Sequence, residues 1–141
     1  LALPCFSVGI NLTGDDRNEA IERLRRYAEI CAELGIPYLH HTICGTLSYP
    51  SIANRIDELF RIGVEQALLI SEYAEALGVK TLVEDQGFVF NGVDMFGKFL
   101  AATNEKIGVV LDYGNVMFVD ERVEDFYEKY SFNNFKTKNN R

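Results

Sequence analysis

The sequence predicts an α/β protein built on a parallel sheet of about four strand-helix units. Short β-branched runs alternate with helical runs whose apolar residues recur every three or four positions. Two of the helical runs stop at a glycine, Gly35 and Gly78, where a helix C-terminus favours the left-handed conformation. Two of the β runs close on an acid followed by a turn, at Glu84 and at Asp112.

The first strand is Pro4 to Ile10, and polar residues Asn11 to Asn18 then offer Asp15, Asp16 or Asn18 as caps for a helix starting near Glu19. Ile21, Leu24, Ala28, Cys31 and Leu34 form its apolar side, opposite Glu22, Arg25, Arg26, Glu29 and Glu33. Ile36 to His41 is the second strand, with its proline early enough to be tolerated. After a loop from Thr42 to Pro50, a long helix opens at Pro50-Ser51. Its stripe runs Ile56, Phe60, Gly63, Ala67, Ile70, Ala74 and Leu77, weakened at Gly63. The Glu84 strand follows, then an aromatic loop from Phe88 to Gly92. A shorter helix carries Val93, Phe96, Phe99, Leu100 and Thr103, capped from Asn91 or Asp94. The Asp112 strand, the segment Val116 to Val119 and a last helix holding Val123, Phe126, Tyr127 and Tyr130 complete the pattern. The organisation expected is one domain over residues 1–130 and a polar, disordered tail over 131–141.

Composition narrows the partners. The 141 residues carry a net charge of -7, and basic residues cluster only in the tail, so a nucleic-acid surface is not expected. No apolar run approaches the roughly 20 residues of a membrane helix. Cys5, Cys31 and Cys44 are odd in number and lack metal-type spacing, which points to a reduced, cytoplasmic compartment. Leu1-Ala2-Leu3 opens without Met and leads straight into a strand, so further residues are expected upstream.

The acids suggest chemistry. Glu84 and Asp112 are each the sixth residue from the first β-branched one, so on adjacent parallel strands they are expected to finish level. Neighbouring strands are about 4.8 Å apart. Two carboxylates that close repel unless a proton or a cation sits between them, and a divalent ion with bonds of roughly 2.0 to 2.2 Å fits that gap. A weak internal repeat at an offset of 43 residues overlays Ala28-Glu29 to His41 on Ser71-Glu72 to Glu84. It sets His41 at the strand end, as a substrate-binding or proton-handling residue or else a hydrogen-bonded structural one, and turns His40 away. Asp85 and Gln86 are loop residues near that end. Phe88, Phe90 and Phe118 offer an apolar wall, or else plain packing.

Ala28-Glu29-Ile30-Cys31-Ala32-Glu33-Leu34-Gly35, then Tyr73-Ala74-Glu75-Ala76-Leu77-Gly78 running into Leu82-Val83-Glu84, then Val109-Val110-Leu111-Asp112-Tyr113-Gly114-Asn115, resemble the sugar phosphate isomerase/epimerase family. That family belongs to the xylose-isomerase-like TIM barrels, and the resemblance spans Leu3 to Tyr130. It implies an incomplete (β/α)8 barrel, since the whole barrel takes about 250 residues. It also implies a divalent metal, Mn, Co, Mg or Zn, held by Glu, Asp, His and a second Glu. Glu84 is the first ligand by this likeness and also the base, and Asp112 is the second ligand. Where the family often has a His three residues after the Asp, this chain has Asn115, which can bond a substrate hydroxyl but cannot carry a proton near neutral pH. No His follows His41, so the third and fourth ligands are expected outside this segment.

The implied activity is a metal-dependent sugar or sugar-phosphate isomerisation or epimerisation through an enediolate, on a small carbohydrate, with the 141-residue chain alone inactive. An endonuclease IV-like metal phosphodiesterase is the rival enzyme, disfavoured by the acidic balance. A non-catalytic half barrel that associates through its open edges is the rival of another class, and a homo-oligomer is expected on that ground.

Overall fold

The computed structural model describes residues 2–44, 52–104, 106–119 and 122–130. The expected tail over 131–141 and the expected helix opening at Pro50-Ser51 lie outside the described residues. Within them, four parallel strands alternate with helices: β1 (Cys5–Val8), α1 (Arg17–Leu34), β2 (Tyr38–His41), α2 (Ile56–Ala76), β3 (Lys80–Glu84), α3 (Val93–Ala102), β4 (Gly108–Val110), α4 (Tyr113–Phe118) and α5 (Val123–Tyr130). The strands lie in sequence order, β1-β2-β3-β4. Right-handed crossovers between strands in that order stack the helices on one face of the sheet. This is the plan of an α/β barrel segment.

Burial follows the strand period. Leu39 and His41 of β2, and Thr81 and Val83 of β3, are at most 1% exposed and face the helices. Their alternates Tyr38 and Lys80 are exposed, and His40, Leu82 and Glu84 are half-buried on the other, open face. Leu24, Ala28 and Cys31 of α1 join Ala67, Ile70 and Ala74 of α2 in the core above the sheet. Full burial of a leucine-sized side chain is worth about 1.5 to 3 kcal/mol, and the three-four spacing lets each helix deliver such side chains to one side.

The helix ends fit their residues unevenly. Gly35 adopts φ 66° as the C-cap of α1; its N–H donates to the carbonyl of Ala32, and that of Ile36 donates to the carbonyl of Cys31. Gly78, at φ 77°, turns the chain from α2 towards β3 in the same way. Asp16 stands at the N-cap of α1 without a capping hydrogen bond, and Gly92 rather than Asn91 or Asp94 stands at that of α3. The aromatic loop is packing at its centre: Phe90 is buried, its ring centroid 5.6 Å from Phe60 and 5.5 Å from Phe99. Phe88 leans on Phe118 at 4.9 Å.

Candidate functional site

The open face gathers its polar side chains towards the carboxyl ends of the strands, where α/β folds bind ligands. Ser7, His40 and Leu82 form one rung across β1, β2 and β3. Glu84 lies two residues beyond Leu82, on the same face. Ser7 Oγ is 2.7 Å from His40 Nδ1, a full hydrogen bond. His40 Nε2 is 3.4 Å from Glu84 Oε2, and the two side chains are only 12% and 16% exposed. That separation exceeds an ordinary N–H···O bond, and Nε2 is buried without a hydrogen-bond partner. Three adjacent strands thus contribute a Ser-His-Glu row.

The two acids do not finish level. Glu84 pairs with Val110, so Asp112 follows two residues further on. At roughly 3.3 Å per residue this displaces it by about 6.6 Å along the strand direction. The equal count from the first β-branched residue misled because β3 and β4 are staggered by two residues. Asp112 instead serves as N-cap of α4, its Oδ1 accepting from Gly114 N at 2.9 Å, and it is exposed. Asn115 is half-buried in α4, and its carbonyl accepts a bond from Asn91 Nδ2 at 2.6 Å.

His41 does not lie on the face that carries Glu84. It pairs with Val83, turns towards the helices and is 0% exposed. Nδ1 donates to the carbonyl of Thr42 at 3.0 Å. Burial is the main cause that lowers its pKa to about 4; the Thr42 bond opposes that, and His40 adds to it. The physical reason for the misplacement is a shift of one residue: the repeat overlays His41 on Glu84 at 43, whereas the sheet pairs Tyr38 with Lys80, an offset of 42. A one-residue slip exchanges the two faces of a strand, so His40 rather than His41 shares the face of Glu84, level with Leu82.

Asp85 is a further residue that the sequence left in a loop. It is 0% exposed, and Oδ1 accepts the backbone N–H of Asp112 at 2.7 Å, tying the end of β3 to the start of α4. Burial pushes its pKa up to about 7, against the bonds from the backbone of Asp112 and of Asp85 itself; the charges of Asp112 and Glu84 push the same way as burial. Oδ2 has no hydrogen-bond partner. A Glu-Asp pair closing a strand gives a sequence signal for this arrangement, since the side chains must take opposite faces.

Among the described residues, no three His, Cys, Asp or Glu side chains converge on one point. The residues nonetheless fit a divalent cation in part. A buried imidazole nitrogen with no hydrogen bond stands beside a carboxylate oxygen on the open face, and both are ordinary ligand types. Such an ion would be held by these two donors alone among the described residues. A pocket elsewhere, lined in part by Ser71, Lys80 and Lys106, lies at the opposite end of the strands.

Solved structures share this fold. A xylose isomerase-like TIM barrel protein from Mycobacterium smegmatis, crystallised in complex with magnesium, superposes with a TM-score of 0.68 at 14% identity. It covers 87% of this chain and 46% of its own. A candidate sugar phosphate isomerase/epimerase from Anabaena variabilis gives 0.62 at 18% identity over the same shares of 87% and 46%. A protein from Sinorhizobium meliloti gives 0.51 at 22% identity, over 70% of this chain and 38% of its own. No protein-family model and no curated protein matches the sequence. The chain spans less than half the length of the solved structures it matches. The likeness carries the fold alone: this chain is a partial α/β barrel, four parallel strands alternating with helices.

Proposed function

We propose that this chain is part of a metal-dependent sugar or sugar-phosphate isomerase or epimerase, with Glu84 as both metal ligand and base. The observation that carries the reading is the placement of Glu84: a half-buried carboxylate at the carboxyl end of β3, on the open face of a barrel-type sheet. When bound, a divalent cation supplies Lewis-acid polarisation to two neighbouring sugar oxygens. Glu84 takes the proton from the carbon beside the carbonyl and returns it. Asp112, held at the mouth by its cap on α4 and by Asp85, is the second ligand, and Asn115 bonds a substrate hydroxyl. The reaction needs a further acid on the far side of the sugar, so the 141-residue chain by itself is expected not to turn over.

The magnesium-bound barrel supports a divalent cofactor, chosen among Mn, Co, Mg and Zn, and the solved isomerase-type relatives support a small carbohydrate as substrate. The net charge of -7 argues against the phosphodiesterase alternative. Among the described residues no helix is long and apolar enough to cross a membrane. The three free cysteines support a cytoplasmic location. The edges of β1 and β4 and the open sheet face support self-association as a homo-oligomer.

The test is ligand binding. A ketose and a ketose phosphate are titrated into the metal-loaded chain and followed through the amide resonances of Glu84, Asp112 and Asn115. Saturable shifts that require the metal and vanish in Glu84→Gln support the reading. Shifts that persist without metal, or none at all, contradict it.

A further inference from the structure

We propose that His40 is a nitrogen ligand of the same cation, paired with Glu84 and oriented by Ser7, and that this pair selects zinc or cobalt over magnesium. The inference rests on the metal-dependent reading above and goes beyond it, because it adds a donor from β2 and narrows the metal.

Three observations carry it. His40 Nε2 and Glu84 Oε2 are 3.4 Å apart. Two bonds of about 2.0 to 2.2 Å meeting at a tetrahedral angle span about 3.4 Å, so the pair already has the spacing of two ligands on one ion. Nε2 is also buried with no hydrogen-bond partner, as Nε2 of His41 is, but that of His40 stands beside a carboxylate oxygen on the open face. Lastly, the other ring nitrogen is engaged: Nδ1 lies 2.7 Å from Ser7 Oγ. Metal-bound histidines characteristically hold their second ring nitrogen in such a bond, which fixes both tautomer and ring plane. With the proton on Nδ1 donated to Ser7, the Nε2 lone pair faces Glu84.

The backbone makes this arrangement reproducible. Ser7 and His40 are register partners on adjacent strands, and His40 pairs with Leu82, two residues before Glu84 on the same face. All three side chains therefore stand on rigid strands rather than loops. Imidazole nitrogen favours zinc and cobalt, while magnesium prefers carboxylate, carbonyl and water oxygens. A site of oxygen donors alone discriminates less between these ions, so the size of the zinc margin separates the two arrangements.

Zinc and magnesium are each titrated into the full 141-residue chain, and the imidazole nitrogens are followed by long-range proton-nitrogen NMR. The chain has two histidines, and the buried, oppositely facing His41 serves as internal control. The expected result is a large shift of His40 Nε2 on adding zinc, with Nδ1 staying protonated and His41 unchanged. Zinc is expected to bind at least 100-fold more tightly than magnesium. His40→Ala is expected to remove most of that margin while leaving magnesium binding within a few-fold, and Ser7→Ala to weaken zinc about tenfold. A His40 Nε2 that is protonated, or unshifted, under saturating zinc overturns the proposal, as does zinc affinity unchanged in His40→Ala, or no zinc binding at all. The wild-type spectra decide even where a variant does not fold. Metal lost in Glu84→Gln but kept in His40→Ala sinks this inference and leaves the isomerase reading standing. Zinc bound through His40 without any ketose binding does the reverse.

Discussion

Asp85 Oδ1 holds the backbone N–H of Asp112 at 2.7 Å, so a buried carboxylate at the end of β3 sets where the capping acid of α4 begins. Removing the acceptor leaves a donor without its partner at the strand ends. Asp85→Ala is expected to destabilise the chain by about 1 to 3 kcal/mol in urea unfolding, while Asp85→Asn, which keeps an acceptor oxygen, is expected to cost less. Equal losses in both variants contradict this role.

The same carboxyl makes stability depend on pH. Its folded pKa of about 7 stands above the ordinary 3.8, mainly because of burial. Between those values the folded chain binds more protons than the unfolded one, so this contribution is full below 3.8 and is lost as pH rises through about 7. In metal-free buffer, Asp85→Asn is expected to lose that downward contribution, so that melting temperature rises more with pH than in the wild type. An unchanged slope contradicts the assignment.

His41 has the opposite sign. Its folded pKa of about 4 lies below the ordinary 6.5, so its contribution is full above 6.5 and is lost as pH falls through about 4. The two slopes therefore oppose each other between about pH 4 and 6.5 in the wild type. His41→Leu, which removes the titration and keeps an apolar volume facing the helices, is expected to unmask the downward slope of Asp85. At neutral pH it is expected to cost within about 1.5 kcal/mol, the loss of one hydrogen bond to Thr42. Melting curves from pH 4 to 8 on both variants measure the two slopes separately.

Gly63 weakens the helical stripe in the sequence, and the structure gives a reason for it. A Cβ there overlaps the ring tip of Phe90 and comes within 2.7 Å of the Ile43 methyl. Gly63→Ala gains about 1 kcal/mol of helix propensity but crowds a buried contact, which typically costs about 1 to 3 kcal/mol. The expected net result is a lower urea midpoint. A rise in the midpoint contradicts the close packing of α2 on the Phe90 loop.

Much of the fold was legible because it follows from period and punctuation. The stripes of α1 and α2 and the stops at Gly35 and Gly78 are local signals, and each element obeys its own. The site was less legible because it depends on register between strands, which no single strand encodes. A repeat offset of 43 against a pairing offset of 42 exchanged His40 for His41. A stagger of two residues between β3 and β4 moved Asp112 past Glu84, although both were read as candidates from their places after β runs. Ser7 gave no signal at all, since a serine in a strand acquires meaning only from the residue beside it on the next strand.

The central claim is that a divalent cation sits at Glu84, and manganese broadening in a nitrogen-15 spectrum of the whole chain tests it most directly. Broadening is predicted to centre on Glu84, His40 and Asp112 at low manganese and to disappear in Glu84→Gln. Broadening centred on the exposed Asp15 and Asp16, or none at millimolar manganese, contradicts the account.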